Sequence, residues 1–262
     1  MITAFLGKGG VGKSSVASAF AMGCASMGRT ALVSSDFMPS LSHIFTEGHD
    51  DLTVIELTAR EVSQLWKERY GDQAKSLLNE VVEVEDWMVQ HIAESPGVAE
   101  EFMISNIVDL DASGEFDFVV WDTAASSSTM HLLLLQKEFY GHLDRDVRIY
   151  LRLKDRLRHS GALDILEEWK TLANRVWSAL QVTRFYLVTT MDDLSLIQAD
   201  EIRDDIETLG LSIAGRIYNR CRPERPQGEA GVASIPELEG SALEVVEKMT
   251  AYTSGLLRPA GR

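Results

Sequence analysis

The chain has only two cysteines in 262 residues, Cys24 and Cys221. They form no C-x-x-C pair. This excludes a disulfide-stapled scaffold and a thiolate zinc site, and it fits a reducing compartment. The six histidines show no metal-ligand spacing and are read as surface or packing residues. Basic residues are also scarce: 25 Lys and Arg against 40 Asp and Glu leave a net charge of −15. A protein that coats nucleic acid needs a basic surface to meet phosphate, so that class is excluded. No apolar run reaches the ~18 residues that span a bilayer. The first residues lack the basic-then-apolar pattern of a leader, and the expected location is the cytoplasm. The composition is 45% hydrophobic and 25% charged, that of an ordinary globular chain. Its length suffices to bury a core without staples and admits one or two domains.

Short apolar runs alternate with helical stretches. Ile2–Leu6, Thr30–Ser34, Thr53–Leu57, Phe116–Trp121, Phe185–Thr189 and Ile213–Tyr218 read as strands. This alternation predicts an α/β fold with a mostly parallel, doubly wound sheet. Two stretches are too long for single crossovers. In one, Leu77, Val81, Val84, Met88 and Ile92 recur at helical spacing, widened by Leu78, Val82 and Trp87; in the other, Leu163, Leu166, Trp169, Ala173, Val176 and Leu180 do. The expected organisation is one domain over 1–262, with a helical subdomain built from about 58–110 and 132–182. The stretch Leu243–Leu257 reads as a closing core helix, too poor in basic residues for a membrane-surface helix. The basic run Arg145, Arg148, Arg152, Lys154, Arg156 and Arg158 reads as a solvated helix face or as a docking patch for an acidic partner.

The sharpest motif is Gly7-Lys8-Gly9-Gly10-Val11-Gly12-Lys13-Ser14, which matches the phosphate-loop pattern G-x-x-x-x-G-K-[ST] between a predicted strand and helix. Glycines let successive N–H groups turn inward toward phosphate oxygens, and the following helix aims its N-terminus at the same charge. The chemistry expected of the motif places Lys13 on the β- and γ-phosphates, Ser14 on Mg²⁺ and Ser15 near the α-phosphate.

A second lysine, Lys8, lies inside this loop. The segment Lys8–Ser14 resembles the deviant Walker A motif of the dimeric ATPases that include MinD, ParA, the nitrogenase iron protein and ArsA. Further segments resemble the arsenite-pump (ArsA) and tail-anchored-protein targeting (Get) family in particular. Ser35-Asp36 through Phe45 is similar to its switch I pattern S-T-D-P-A-H-x-L-S-D-x-F. Asp122-Thr123-Ala124 with Thr129 is similar to its switch II pattern, although Ala125–Ser128 replace the P-T-G-H portion. Ser95–Glu101, Tyr218-Asn219-Arg220 and Ser234–Leu238 are similar to three more segments in the same order.

The resemblance implies a Mg²⁺-dependent ATPase working as a nucleotide-switched homodimer. It implies that Lys8 crosses to the partner's nucleotide and that Asp36 orients or deprotonates the attacking water. It places Asp122 near Mg²⁺ through water, and Asn219 and Pro236 beside adenine. Gly9, Gly10, Val11, Gly12, Lys13, Ser14 and Ser15 complete the nucleotide cradle. Targeting members imply a hydrophobic client protein held by the helical subdomain, where Trp66, Trp87, Met88, Met103, Met130, Trp169 and Trp177 are candidates for a lining or for ordinary core. The alternatives are an anion-pump ATPase subunit, which the shortage of thiolates disfavours, and a MinD- or ParA-like positioning ATPase, which the charge disfavours.

Overall fold

The computed structural model describes the chain except residues 37, 39, 80–84, 95–97, 126–128, 131–132, 135–136, 138–160, 222–232 and 258–262. Outside the described residues lie the basic run from Arg145 to Arg158, Ser95–Gly97, Ser126–Ser128, Pro39 and the predicted stripe positions Val81, Val82 and Val84.

Seven strands among the described residues form one sheet: β1 (Ile2–Leu6), β2 (Thr30–Ser34), β3 (Leu52–Glu56), β4 (Phe118–Asp122), β5 (Arg184–Thr189), β6 (Ile213–Cys221) and β7 (Ala233–Pro236). Their order is β3-β2-β4-β1-β5-β6-β7 and every pairing is parallel. β1 and β2 are buried along their whole length, as expected of parallel strands covered on both faces. β7 is not among the strands expected from the sequence. The strand has four residues at the sheet edge and ends on Pro236, a residue tolerated only where no ladder donor is needed.

The helices are α1 (Lys13–Ala25), α2 (Leu41–Ile44), α3 (Ala59–Asn79), α4 (Asp86–Ala93), α5 (Val98–Ser113), α6 (Gly161–Val182), α7 (Asp193–Thr208) and α8 (Ala242–Thr253), the last followed by a 3₁₀ turn, Ser254–Leu257. α1 is buried nearly all round, because it lies against the sheet and against α8. Its Ala, Ser and Gly residues allow that close approach. Val246, Met249 and Leu256 close the same core over Phe20 and Cys24. Phe5 stacks on Tyr186 at 5.8 Å and tilts against Phe20 at 5.4 Å. Such aromatic pairs add about 0.5–1.5 kcal/mol each beyond the area they bury.

The chain divides into two compact units. One contains Met1–Leu57, Ile107–His131 and Gln181–Arg262; the other contains Thr58–Asn106 and Leu132–Leu180. The first carries the sheet. The second is helical and has its own interior: Tyr70 meets Phe102 edge-on at 5.7 Å and Trp169 at 6.4 Å, with Trp66 at 6.2 Å. Trp169 Nε1 donates to Gln73 Oε1 at 2.8 Å, and Gln73 Nε2 donates to Glu168 at 2.9 Å. Met103 is fully buried. Three of the candidate client-lining residues, Trp66, Met103 and Trp169, are thus engaged in internal packing, while Trp87 is 59% exposed. The first stripe, read only as apolar positions at helical spacing, is not carried by one helix: α3 ends at Asn79 and α4 starts at Asp86 after an extended Glu85.

Candidate functional site

The C-terminal ends of parallel strands in an open α/β sheet are where ligands bind. Here they gather nearly every residue singled out from the sequence. Strand register puts Asp122 level with Phe5 of β1 and Ser34 of β2, and Ser34 level with Glu56 of β3. The loop Gly7–Gly12 leaves β1, Asp36 follows β2, and Asn219 lies near the end of β6.

Close packing explains two of the loop glycines. A Cβ on Gly7 would sit 2.3 Å from the Val188 carbonyl oxygen. Gly12 has φ +90°, and a Cβ there would sit 2.3 Å from Asn219 Nδ2. By contrast, the space beside Gly9 and Gly10 is open. Gly12 precedes α1 without a side-chain cap, and the first turn of α1 holds no acidic residue. The free N–H groups and positive dipole end of α1 are thus left available to an anion.

Lys13 is buried, and its Nζ donates to the Lys8 carbonyl oxygen at 3.1 Å. Burial lowers its pKa, while the charges of Asp122 and Asp36 work the other way. Ser14 and Ser15 follow in the first helical turn, half-buried. Asp122 is 0% exposed, and neither carboxylate oxygen has a hydrogen-bond partner. Burial pushes its carboxyl up to about 7, against the pull of the nearby Ser14 hydroxyl and the Lys13 ammonium. The Ser14 hydroxyl is close enough to oppose the shift but lies outside hydrogen-bond geometry. A buried carboxylate with two unpartnered oxygens is costly unless a cation completes it. A magnesium ion between Ser14 and Asp122, with a polyphosphate on the loop, fits this donor set.

Asp36 is half-buried, and one of its carboxylate oxygens accepts from the Met38 N–H at 3.0 Å. It therefore caps its own turn here, with its charge felt by Lys13. Lys8 is half-buried, and Gly9 and Gly10 are exposed. Lys8, Gly9, Gly10 and Val11 line a cavity of about 720 Å³, whose other walls include Asp192, Arg220 and Glu237. Pro236 ends β7 directly before Glu237.

Asn219, expected beside adenine from the resemblance, lies near the end of β6 against the phosphate loop. It is 1% exposed; its Nδ2 donates to the Val11 carbonyl oxygen at 2.8 Å and its Oδ1 accepts from the Arg220 N–H at 3.0 Å. The amide is turned onto the phosphate loop. Arg220 supports this turn with φ +53°, a left-handed conformation that costs a non-glycine residue about 1–2 kcal/mol.

A family model described as "Anion-transporting ATPase" matches residues 1–248. The chain belongs to the anion-transporting ATPase family. It is 27% identical to "Putative arsenical pump-driving ATPase 2" of Aquifex aeolicus, over 93% of this chain and 87% of that protein. It is 28% identical to "Putative arsenical pump-driving ATPase" of Halobacterium salinarum, over 84% of this chain and 34% of that protein. It is 25% identical to "ATPase GET3C" of Arabidopsis thaliana, over 83% of this chain and 66% of that protein. The chain thus spans most of the Aquifex relative and about a third of the Halobacterium one.

Sequence reasoning missed Glu56 and Asp192, and named Glu237 only as part of the Ser234–Leu238 segment. Asp192 stands before α7 and caps it, accepting from the Ser195 N–H at 3.0 Å; the Ser195 hydroxyl, the Thr190 hydroxyl and that N–H hold its carboxyl well below the usual range. The signal was present, as Asp-Asp directly before an apolar helical run marks a helix start. Among the described residues, no group of three or more His, Cys, Asp or Glu side chains is placed to hold a metal on its own, and no helix is long and apolar enough to cross a membrane.

Proposed function

We propose that this chain binds ATP with Mg²⁺ on the Gly7–Ser14 loop and hydrolyses it to ADP and phosphate as a nucleotide-switched homodimer in the cytoplasm. The observation that carries the reading is Asp122. A fully buried carboxylate without a hydrogen-bond partner lies beside Ser14 and Lys13 at the start of α1, and the space beside Gly9 and Gly10 of the preceding loop is open.

When bound, Mg²⁺ would neutralise phosphate charge between Ser14 and Asp122. Lys13 and the N–H groups of Gly9–Ser14 hold the phosphate chain, with Ser15 next in line. Asp36 releases Met38 and takes up the attacking water, accepting its proton or fixing its orientation. Lys8 is the group within the loop that is left to meet a second copy's nucleotide, and it acts there as an arginine finger does. Asn219 holds the loop from behind through Val11, and Pro236 places the strand end bordering the nucleoside side of the cavity.

A further role in carrying hydrophobic protein segments rests on the helical unit. Its exposed large apolar side chains among the described residues are Leu65, Trp87 and Leu134. The second reading, a subunit that drives an anion pump, is favoured by the names of the Aquifex and Halobacterium relatives. The chemistry of the two thiols does not support metalloid binding. Cys24 is buried in α1, where burial pushes its thiol up to about 12, and Cys221 stands at the end of β6. Steady-state hydrolysis of ATP by the purified chain, with and without arsenite and with and without an apolar helical peptide, separates the readings. Arsenite stimulation would select the pump subunit, and peptide-dependent turnover would select the carrier.

A further inference from the structure

β3 ends on Glu56, at the same sheet edge as the candidate site. Its carboxylate is fully engaged. Oε1 accepts from the N–H groups of Ser40 at 2.6 Å and Leu41 at 2.8 Å, and Oε2 accepts from the Ser42 N–H at 3.0 Å. Ser40 is the N-cap of α2, and Leu41 and Ser42 are its first two residues. A helix this short has few internal acceptors for these donors. Charge-assisted bonds of this kind are about twice as strong as neutral ones. Partial burial raises the Glu56 carboxyl, and the bonds from Ser40, Leu41 and Ser42 outweigh it, leaving it below the ordinary carboxylate range.

Serine at an N-cap ordinarily turns its own hydroxyl back onto the helix. Ser40 does not: it makes no side-chain cap, and its hydroxyl lies 3.4 Å from Ser14 Oγ. Capping has passed to a carboxylate on another element, and the freed hydroxyl faces the first turn of α1. The segment that starts with Asp36 after β2 therefore reaches a fixed point at Ser40, tied to the sheet edge through Glu56.

We infer that Glu56 is a positioning residue: it anchors the segment carrying Asp36 and Ser40 to the end of β3, which sets that segment against Ser14 and Lys13. Glu56 does not act as a base, because both its oxygens are occupied by N–H donors that disfavour the protonated form. The catalytic consequence rests on the proposed ATP hydrolysis, whereas the anchoring stands without it.

The test uses the full chain as wild type, Glu56→Ala and Glu56→Gln. Amide hydrogen exchange without nucleotide should quicken about 10–100-fold at Ser40–Ser42 in Glu56→Ala and less in Glu56→Gln, which keeps one acceptor, with β1 and β4 unchanged. Turnover should fall about 10–100-fold in Glu56→Ala with KM for ATP within about threefold, and Glu56→Gln should recover part of the loss. Unaltered exchange at Ser40–Ser42 would overturn the inference. So would faster exchange with unchanged kcat, or a uniform rise in exchange across the sheet. A wild-type chain that neither binds nor hydrolyses ATP would sink the proposed function instead, and the exchange measurement alone would still decide the anchor.

Discussion

Asn219 Nδ2 donates to the Val11 carbonyl oxygen at 2.8 Å, which ties the end of β6 to a loop 208 residues earlier in the chain. The same amide would lie 2.3 Å from any Cβ at Gly12. Gly12 and Asn219 are thus a matched pair, with the absent side chain of one making room for the other. On the proposed function, a brace of this kind would shape the phosphate cradle. Asn219→Ala should weaken ATP and inorganic triphosphate alike, by about tenfold. Calorimetric titration with both ligands checks it; a loss confined to ATP would restore the adenine contact that the sequence resemblance implied.

Asp122 should show opposite effects on stability and on function. In metal- and nucleotide-free protein, burial pushes the Asp122 carboxyl up to about 7 from its ordinary value of 3.8. The folded state therefore holds the proton more tightly than the unfolded state, so this group's contribution is full at low pH and is lost as pH rises from about 4 to about 7. Asp122→Asn removes the buried charge. Measured in EDTA, its melting temperature should match wild type near pH 5 more closely than at pH 8, where it should lie several degrees above, for a gain of about 1–3 kcal/mol. The variant should lose Mg²⁺-dependent turnover. A melting temperature below wild type at pH 8 would show that the carboxylate has a partner in the fold.

Much of this was legible in the residues, for identifiable reasons. β1 and β2 are mostly apolar runs, and buried parallel strands carry that signature on both faces. The phosphate loop is a local motif whose residues act where they stand. β7 was not legible, because four edge residues ending in proline carry little periodicity. The break between α3 and α4 was missed since apolar positions keep helical spacing across it. Glu56 belongs to no motif, and its function exists only through three N–H groups that follow another strand. Asn219 was singled out by resemblance, but its partner Val11 is remote in sequence and becomes visible only once the sheet is assembled.

Lys8 carries the dimer part of the account. Its backbone carbonyl is held by Lys13, and the residue lines the cavity. Lys8→Ala should keep ATP affinity within about threefold but lower turnover about 10³-fold or more, as loss of a finger in trans does. Wild-type turnover per chain should rise with protein concentration, and the variant's should not. Turnover independent of concentration in the wild type would remove the second copy from the mechanism.

The proposed hydrolysis has Asp36 leave the Met38 N–H for the attacking water. Asp36→Asn should still bind ATP and should hydrolyse it about 10²–10⁴-fold more slowly, read from single-turnover rates. An unchanged rate would take Asp36 out of the chemistry and leave it as the turn cap seen in the structure.

The most direct measurement is titration of the purified chain with ATP, with and without Mg²⁺, beside Lys13→Ala. Wild-type binding should be saturable in the range of about 1 μM–1 mM and tightened by Mg²⁺, with none detectable in Lys13→Ala. Absence of wild-type binding with Mg²⁺ present, or equal binding by Lys13→Ala, would contradict the proposed function.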